Sequence, residues 1–195
     1  MIALAASKRI ALYGGSFDPP HVAHVMTVAW LLSAAPIDEV WIMPVAKHYL
    51  AKVVSKFDDR VLMCRLAFGL FGDRVQVRMD EQELAGAGAS IDLIAHLQKK
   101  YPAHVFSLAI GSDILHQRLR WKQFDKLQTL ERLIILPRPG FSVDAEFFDR
   151  AAPVLLPDVS STQLRADLIA GRRVDGRLPL SVGGWLQRGG QHLYI

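Results

Sequence analysis

Five short runs of branched, apolar residues, at 9–13, 40–43, 75–79, 105–110 and 133–136, alternate along this chain with segments of helical character at 21–34, 58–71, 90–100, 114–119 and 161–170. Strands apolar at nearly every position are buried on both faces. Joined through helices, they predict an α/β architecture: a Rossmann-like parallel sheet with right-handed crossovers and helices on both faces. Ligands of such sheets lie beyond the carboxyl ends of the strands, near the point where strand order reverses. Gly14-Gly15, Pro44, Gly111 and Pro137 each directly follow one of the apolar runs. All are therefore expected along one edge of the sheet, around a single site.

Bulk properties narrow the class. At 195 residues, the chain reads as one domain over its whole length, with enough material for a full core. Half of it is hydrophobic (51%), yet no apolar stretch is long enough to span a bilayer, so no membrane partner is expected. Residues 1–6 are apolar, but Lys8 and Arg9 follow rather than precede them, the wrong order for a secretory signal. A single cysteine, Cys64, forms no internal disulfide and suits a reducing cytoplasm. The net charge of +4 favours an anionic ligand. The basic residues are scattered rather than gathered into a stripe with aromatics, so nucleic acid is not an expected partner. Loops are expected at 47–56, 84–89 and 140–144, and the last twenty residues read as a helix and a tail. Nothing in these features opposes a homo-oligomer.

The first apolar run leads into Gly14-Gly15-Ser16-Phe17-Asp18-Pro19-Pro20-His21-Val22-Ala23-His24. Strand, glycine turn and helix start follow one another here. A helix N-terminus offers unpaired N–H groups and partial positive charge, and glycine lets backbone approach an anion closely. His21 and His24, three residues apart, share one helix face. The pattern reads as a phosphate cradle. A metal pair is the rival reading, but no third ligand stands at suitable spacing; an ordinary capped helix is the other.

Further along, Ser160-Ser161-Thr162-Gln163 reads as a capping box, with Ser160 capping and Gln163 returning the bond. The helix it opens carries Arg165 in its first turns, where a cation opposes the helix dipole. Gly171 is placed to end that helix. Asp113 reads as the N-cap of a helix from Ile114, and Trp121 as either a core aromatic or a stacking surface for a flat heterocycle.

Residues 15–24 resemble the G-(T/S)-F-D-P-x-H-x-G-H signature of the nucleotidyltransferase superfamily, and Val159-Ser160-Ser161-Thr162-Gln163-Leu164-Arg165 resembles its second signature, I-S-S-T-x-I-R. Between them Ile110-Gly111-Ser112-Asp113, Trp121 and Pro137-Arg138-Pro139-Gly140 are similar to the pattern of bacterial nicotinate-mononucleotide adenylyltransferases. The resemblance implies adenylyl transfer from ATP, with Mg²⁺ assisting the phosphates, to nicotinate mononucleotide. It implies catalytic roles for His21, His24 and Arg165. It places ATP on Gly14, Gly15, Ser16, Phe17, Gly111, Asp113, Arg138, Ser160, Ser161 and Thr162, and the mononucleotide on Lys47, His48, Ser90 and Trp121.

Three departures stand out. Ala23 replaces a glycine, residues 44–50 lack the usual proline pair, and Ala89-Ser90-Ile91-Asp92 occupies the place of Tyr-Thr-x-Asp. The last bears on the pyridine substituent, so nicotinamide mononucleotide stays an alternative acceptor. Phosphopantetheine is another, opposed by Trp121 and Asp113. A nucleotide-binding module without catalysis is a third reading, opposed by the presence of both histidines and Arg165. A nicotinamide-dependent oxidoreductase would need Gly-x-Gly-x-x-Gly after the first strand, which is absent.

Overall fold

The computed structural model describes residues 6–47, 54–84, 89–128 and 133–194. Five strands, β1 (Arg9–Gly15), β2 (Glu39–Pro44), β3 (Val75–Val77), β4 (Val105–Gly111) and β5 (Leu133–Leu136), form one sheet in the order β3-β2-β1-β4-β5. Every pairing is parallel. The chain builds outward from β1 to β2 and β3, then crosses back to lay β4 on the other side of β1. The switch point therefore lies between β1 and β4.

Side-chain alternation on the central strand creates two cores. Ala11 and Tyr13 join Val28, Leu31, Ile42, Met63, Phe68, Leu164 and Val182 on one face. Its helical members come from α1 (Val22–Ala34), α2 (Phe57–Phe68), α6 (Ser161–Ile169) and α7 (Leu180–Arg188). Ile10 and Leu12 join Trp41, Met43, Leu93, Leu97, Leu108, Leu115 and Leu127 on the other. That face is covered by α3 (Ser90–Lys100), α4 (Ser112–Leu115) and α5 (Phe124–Gln128). Among the described residues no helix is long and apolar enough to cross a membrane.

The architecture agrees with expectation, and the differences are local. The helix expected over 58–71 ends as α-helix at Phe68 and tightens into a 3₁₀ segment, Gly69–Arg74, broken at Gly72 with φ +59°. A helix expected over 114–119 is only the turn Ser112–Leu115, followed by a 3₁₀ turn, Arg118–Arg120. Its N-cap is Gly111, not Asp113, which lies within the first turn. The strand expected over 75–79 is β3, which stops at Val77, although the Arg78 N–H still donates to Ile42 O of β2 at 2.8 Å. Ser160 does cap α6, accepting the Gln163 N–H at 3.2 Å, but the Gln163 side chain donates to Asp167 (2.9 Å) instead of returning the bond. α6 closes with Gly171 at φ +65°. The Gly171 N–H reaches Leu168 O (3.0 Å) and the Arg172 N–H reaches Asp167 O (2.8 Å), a Schellman arrangement that glycine permits without strain.

Candidate active site

A cavity of about 480 Å³ opens beyond the carboxyl ends of the strands, within the size range of small-molecule sites. Register explains the convergence. Gly15 lies opposite Pro44 on β2, Tyr13 opposite Ala109 on β4, and Gly111 opposite Leu136 on β5. The first turns of α1, α3 and α6 also reach the wall, bringing their positive ends to one space.

The histidines form its best-defined element. His21 is the N-cap of α1 and His24 is its third residue. Their rings stack with centroids 3.7 Å apart. The His21 backbone N–H donates to His24 Nδ1 at 3.1 Å. With Nδ1 an acceptor, the neutral ring carries its proton on Nε2. His24 is held neutral, its pKa driven well down by burial and then by His21 and Arg138. Burial, and next Arg138, push His21 down to about 3. His21 Nδ1 is buried without a partner among the described residues, the kind of atom a ligand satisfies.

These shifts carry a stability prediction. Between about pH 6.5 and 3 the unfolded chain protonates a histidine that the folded chain keeps neutral, so stability falls on acidification. His21 alone is expected to cost about 1.4 kcal/mol per pH unit within that window. Glu81, whose carboxyl burial raises to about 7, acts oppositely between its unfolded value and 7. The difference in denaturant midpoint between wild type and His21→Asn, followed from pH 6.5 to 4, isolates the histidine; parallel curves would refute its neutral burial.

Asp18, 1% exposed, ties the cradle together. Its Oδ1 accepts the Tyr194 hydroxyl (2.9 Å) and its Oδ2 accepts the Ser55 N–H (3.0 Å). Its carbonyl accepts Arg165 Nη1 at 2.7 Å, and Arg165 Nη2 reaches Thr162 Oγ1 at 3.4 Å. Ser161 Oγ donates to Pro19 O (2.9 Å). The two signature segments, far apart in sequence, are thus bonded directly to each other.

On the far side, Arg138 donates its N–H to Ser112 Oγ (2.9 Å) and its Nη2 to Val159 O (3.3 Å). Gly111 leaves room for this packing: a Cβ there would stand 2.2 Å from Asp113 Oδ1 and 3.2 Å from Arg138 Cγ.

Gly14, Gly15, Ser16, Phe17, His21, His24, Ser90, Gly111, Asp113, Trp121, Arg138, Ser160, Ser161 and Thr162 all line the cavity. Phe17 does so as floor, its ring 1% exposed and packed edge-on against Tyr13, His24 and Phe68. Arg165 stands outside the lining set, behind Asp18 and Thr162. Lys47 is exposed and also outside it. His48 lies outside the described residues. Sequence reasoning did not single out Glu81 or Lys122, which line the cavity. Nor did it foresee Arg60, whose guanidinium donates to Ser55 O, Ser16 O and Val45 O at 2.8–2.9 Å.

A sequence profile described as Cytidylyltransferase-like matches residues 12–167, a span that runs from β1 through α6 and contains both halves of the cradle. The chain belongs to the cytidylyltransferase-like family. Among its relatives in that family is a probable nicotinate-nucleotide adenylyltransferase of Anaeromyxobacter dehalogenans, 38% identical over 90% of this chain and 92% of the relative. The nicotinate-nucleotide adenylyltransferase of Bacillus subtilis is 29% identical over 94% of this chain and 97% of its own length. The fold is that of a Plasmodium falciparum nicotinic acid mononucleotide adenylyltransferase solved with NaAD, at TM-score 0.76, 22% identity and coverage of 95% and 98%. For this member of the cytidylyltransferase-like family, the match covers the cavity walls as well as the sheet.

Proposed function

We propose that this protein transfers the adenylyl group of ATP to nicotinate mononucleotide, giving nicotinate adenine dinucleotide and pyrophosphate, a step of NAD biosynthesis. The observation that carries this reading is the single cavity that joins the stacked His21 and His24, the Ser160–Thr162 turn and Arg138 to Ser90 and Trp121. The relatives described above bear the same activity in their names.

In this reading a phosphate oxygen of the mononucleotide attacks the α-phosphorus of ATP, the bond to the β-phosphate oxygen breaks, and pyrophosphate leaves. The reaction calls for positioning and charge neutralisation more than for an acid or a base. His24 Nε2–H and the His21 ring donate to phosphate oxygens. Because both rings are neutral, they donate at ordinary pH without a protonation step. Ser16 and the first turn of α6 offer N–H and hydroxyl groups to the outer phosphates. Arg165 positions Thr162 and the Asp18 turn from behind and completes the positive field. Arg138 and Gly111 border the nucleoside, and Trp121 offers its face to the pyridine.

Mg²⁺ fits this site as a companion of the triphosphate. The cradle is built of imidazole, hydroxyl and guanidinium groups, which suit phosphate oxygens, and Asp113 is the carboxylate among the assigned ATP residues. The bound ion would neutralise phosphate charge. Two small nucleotides account for the cavity without nucleic acid or a membrane, and buried Cys64 suits a reducing cytoplasm.

The deciding assay is pyrophosphate release from ATP and Mg²⁺ with nicotinate and nicotinamide mononucleotide in parallel. Turnover with nicotinate mononucleotide supports the assignment; ATP binding without turnover on either acceptor would overturn it. Gly111→Ala forces Asp113 aside and crowds Arg138, and is expected to raise the KM for ATP about tenfold or more while leaving Tm within a few degrees. An unchanged KM would remove this turn from the ATP site.

A further inference from the structure

Glu81 is a buried carboxyl (7% exposed) on a 3₁₀ turn, Asp80–Glu83, that follows β3. It forms part of the cavity wall with Val45, Ala89, Ser90 and Leu93. These residues belong to the β2–α3 side. The histidines, Arg138 and the α6 turn gather around β1 and β5. The carboxyl therefore lies at the acceptor end of the site in the function proposed above, on which this inference rests. We propose that Glu81 is the group through which the cavity senses the charge of the acceptor's pyridine substituent.

Among the described residues, none forms a salt bridge with Glu81. Its Oε2 accepts the Ala46 N–H at 2.9 Å. Arg60 of α2 is the cation that acts on it, but that guanidinium is committed to three carbonyls. On its own turn, Asp80 is paired with Arg78 and Lys100, and Glu83 with Lys100 and His96 of α3. Lys122, on the same cavity wall, is paired with Asp92, and Lys47, next to Ala46, is exposed. Burial accordingly raises the carboxyl to about 7, against smaller opposing effects of the Ala46 N–H and Arg60.

Such a group has two settings near neutrality. Protonated, it donates a hydrogen bond to an anionic carboxylate. Ionised, it repels that carboxylate but still accepts from the N–H₂ of a carboxamide. A carboxylate-bearing acceptor therefore draws a proton into the site as it binds, and a carboxamide does not. Both acceptors carry the same phosphate, whose own titration cancels in the comparison.

The test is calorimetry at pH 7.5, with a non-hydrolysable ATP analogue present, in two buffers of different ionisation heat. Nicotinate mononucleotide is expected to take up about half a proton more than nicotinamide mononucleotide. In Glu81→Gln that excess disappears, while the amide oxygen still accepts the Ala46 N–H and keeps Tm near wild type. In steady-state assays, the ratio of kcat/KM for the nicotinate over the nicotinamide substrate is expected to fall about tenfold from pH 6 to 8.5, and to stay flat in Glu81→Gln. Equal proton uptake for both acceptors, or an excess that survives in Glu81→Gln, would overturn the proposal. An absence of heat and turnover with both acceptors would instead overturn the acceptor assignment, and this inference with it.

Discussion

His24→Ala is expected to lower kcat by about a hundredfold to a thousandfold, the range for loss of one preorganised donor to transition-state charge. Three features set the size of the effect. His24 Nδ1 is occupied by the His21 N–H, so the remaining ring N–H is the one the cavity receives. The ring is neutral, so lowering the pH recovers no second donor. It also stacks on His21 at 3.7 Å, and its removal frees a second ring of the cavity wall to move. Alanine is well tolerated in a helix, so the loss should appear in single-turnover rates with circular dichroism unchanged. A variant within a few-fold of wild type would take His24 out of the reaction.

The largest effect on stability is expected at Arg60. The side chain is 1% exposed, and it bridges the Ser16 turn after β1, the Val45 turn after β2 and the Ser55 carbonyl preceding α2. Arg60→Ala leaves three inward carbonyls short of a donor and opens a void, together costing about 3–5 kcal/mol. For a chain of this size that lowers Tm by roughly 10–15 °C. Arg60→Lys should recover little, because an ammonium on a flexible stem does not span three acceptors as a planar fork does. A thermal melt separates the possibilities: a shift under 4 °C for Arg60→Ala would show that water replaces the guanidinium. Since Ser16 and Val45 both line the cavity, surviving folded protein should also show a smaller ATP-induced rise in Tm.

The two residues illustrate what could be read before any coordinates. His24 was visible because strand, glycine turn and paired histidines are local and close-spaced. The sheet was visible for the same reason, since apolar runs and helical segments each carry their own periodicity. Arg60 was not visible as a scaffold. A charged residue in a helix normally faces water, and only the approach of two distant turns makes its burial favourable. Glu81 was hidden likewise: its acidic neighbours Asp80 and Glu83 are paired with Arg78, Lys100 and His96, and nothing in the one-dimensional pattern distinguishes the member that lines the cavity. Arg165 was singled out by resemblance, yet its partner, the Asp18 carbonyl, is a backbone atom that sequence motifs do not specify. The short α4 was over-read as a longer helix because Ile114 and Leu115 look helical locally; the α-helix ends at Leu115 and a 3₁₀ turn over Arg118–Arg120 follows.

The knot at Asp18 also has a direction in time. The carboxylate is synthesised 176 residues before the Tyr194 hydroxyl that completes it. At cellular elongation rates of 5–20 residues per second, that interval is roughly 10–35 s. During it the nascent chain holds the turn after β1 with one of its fastenings missing. Closure of the turn at Asp18 therefore waits on residue 194, and a chain halted short of it has its first motif present but not yet locked.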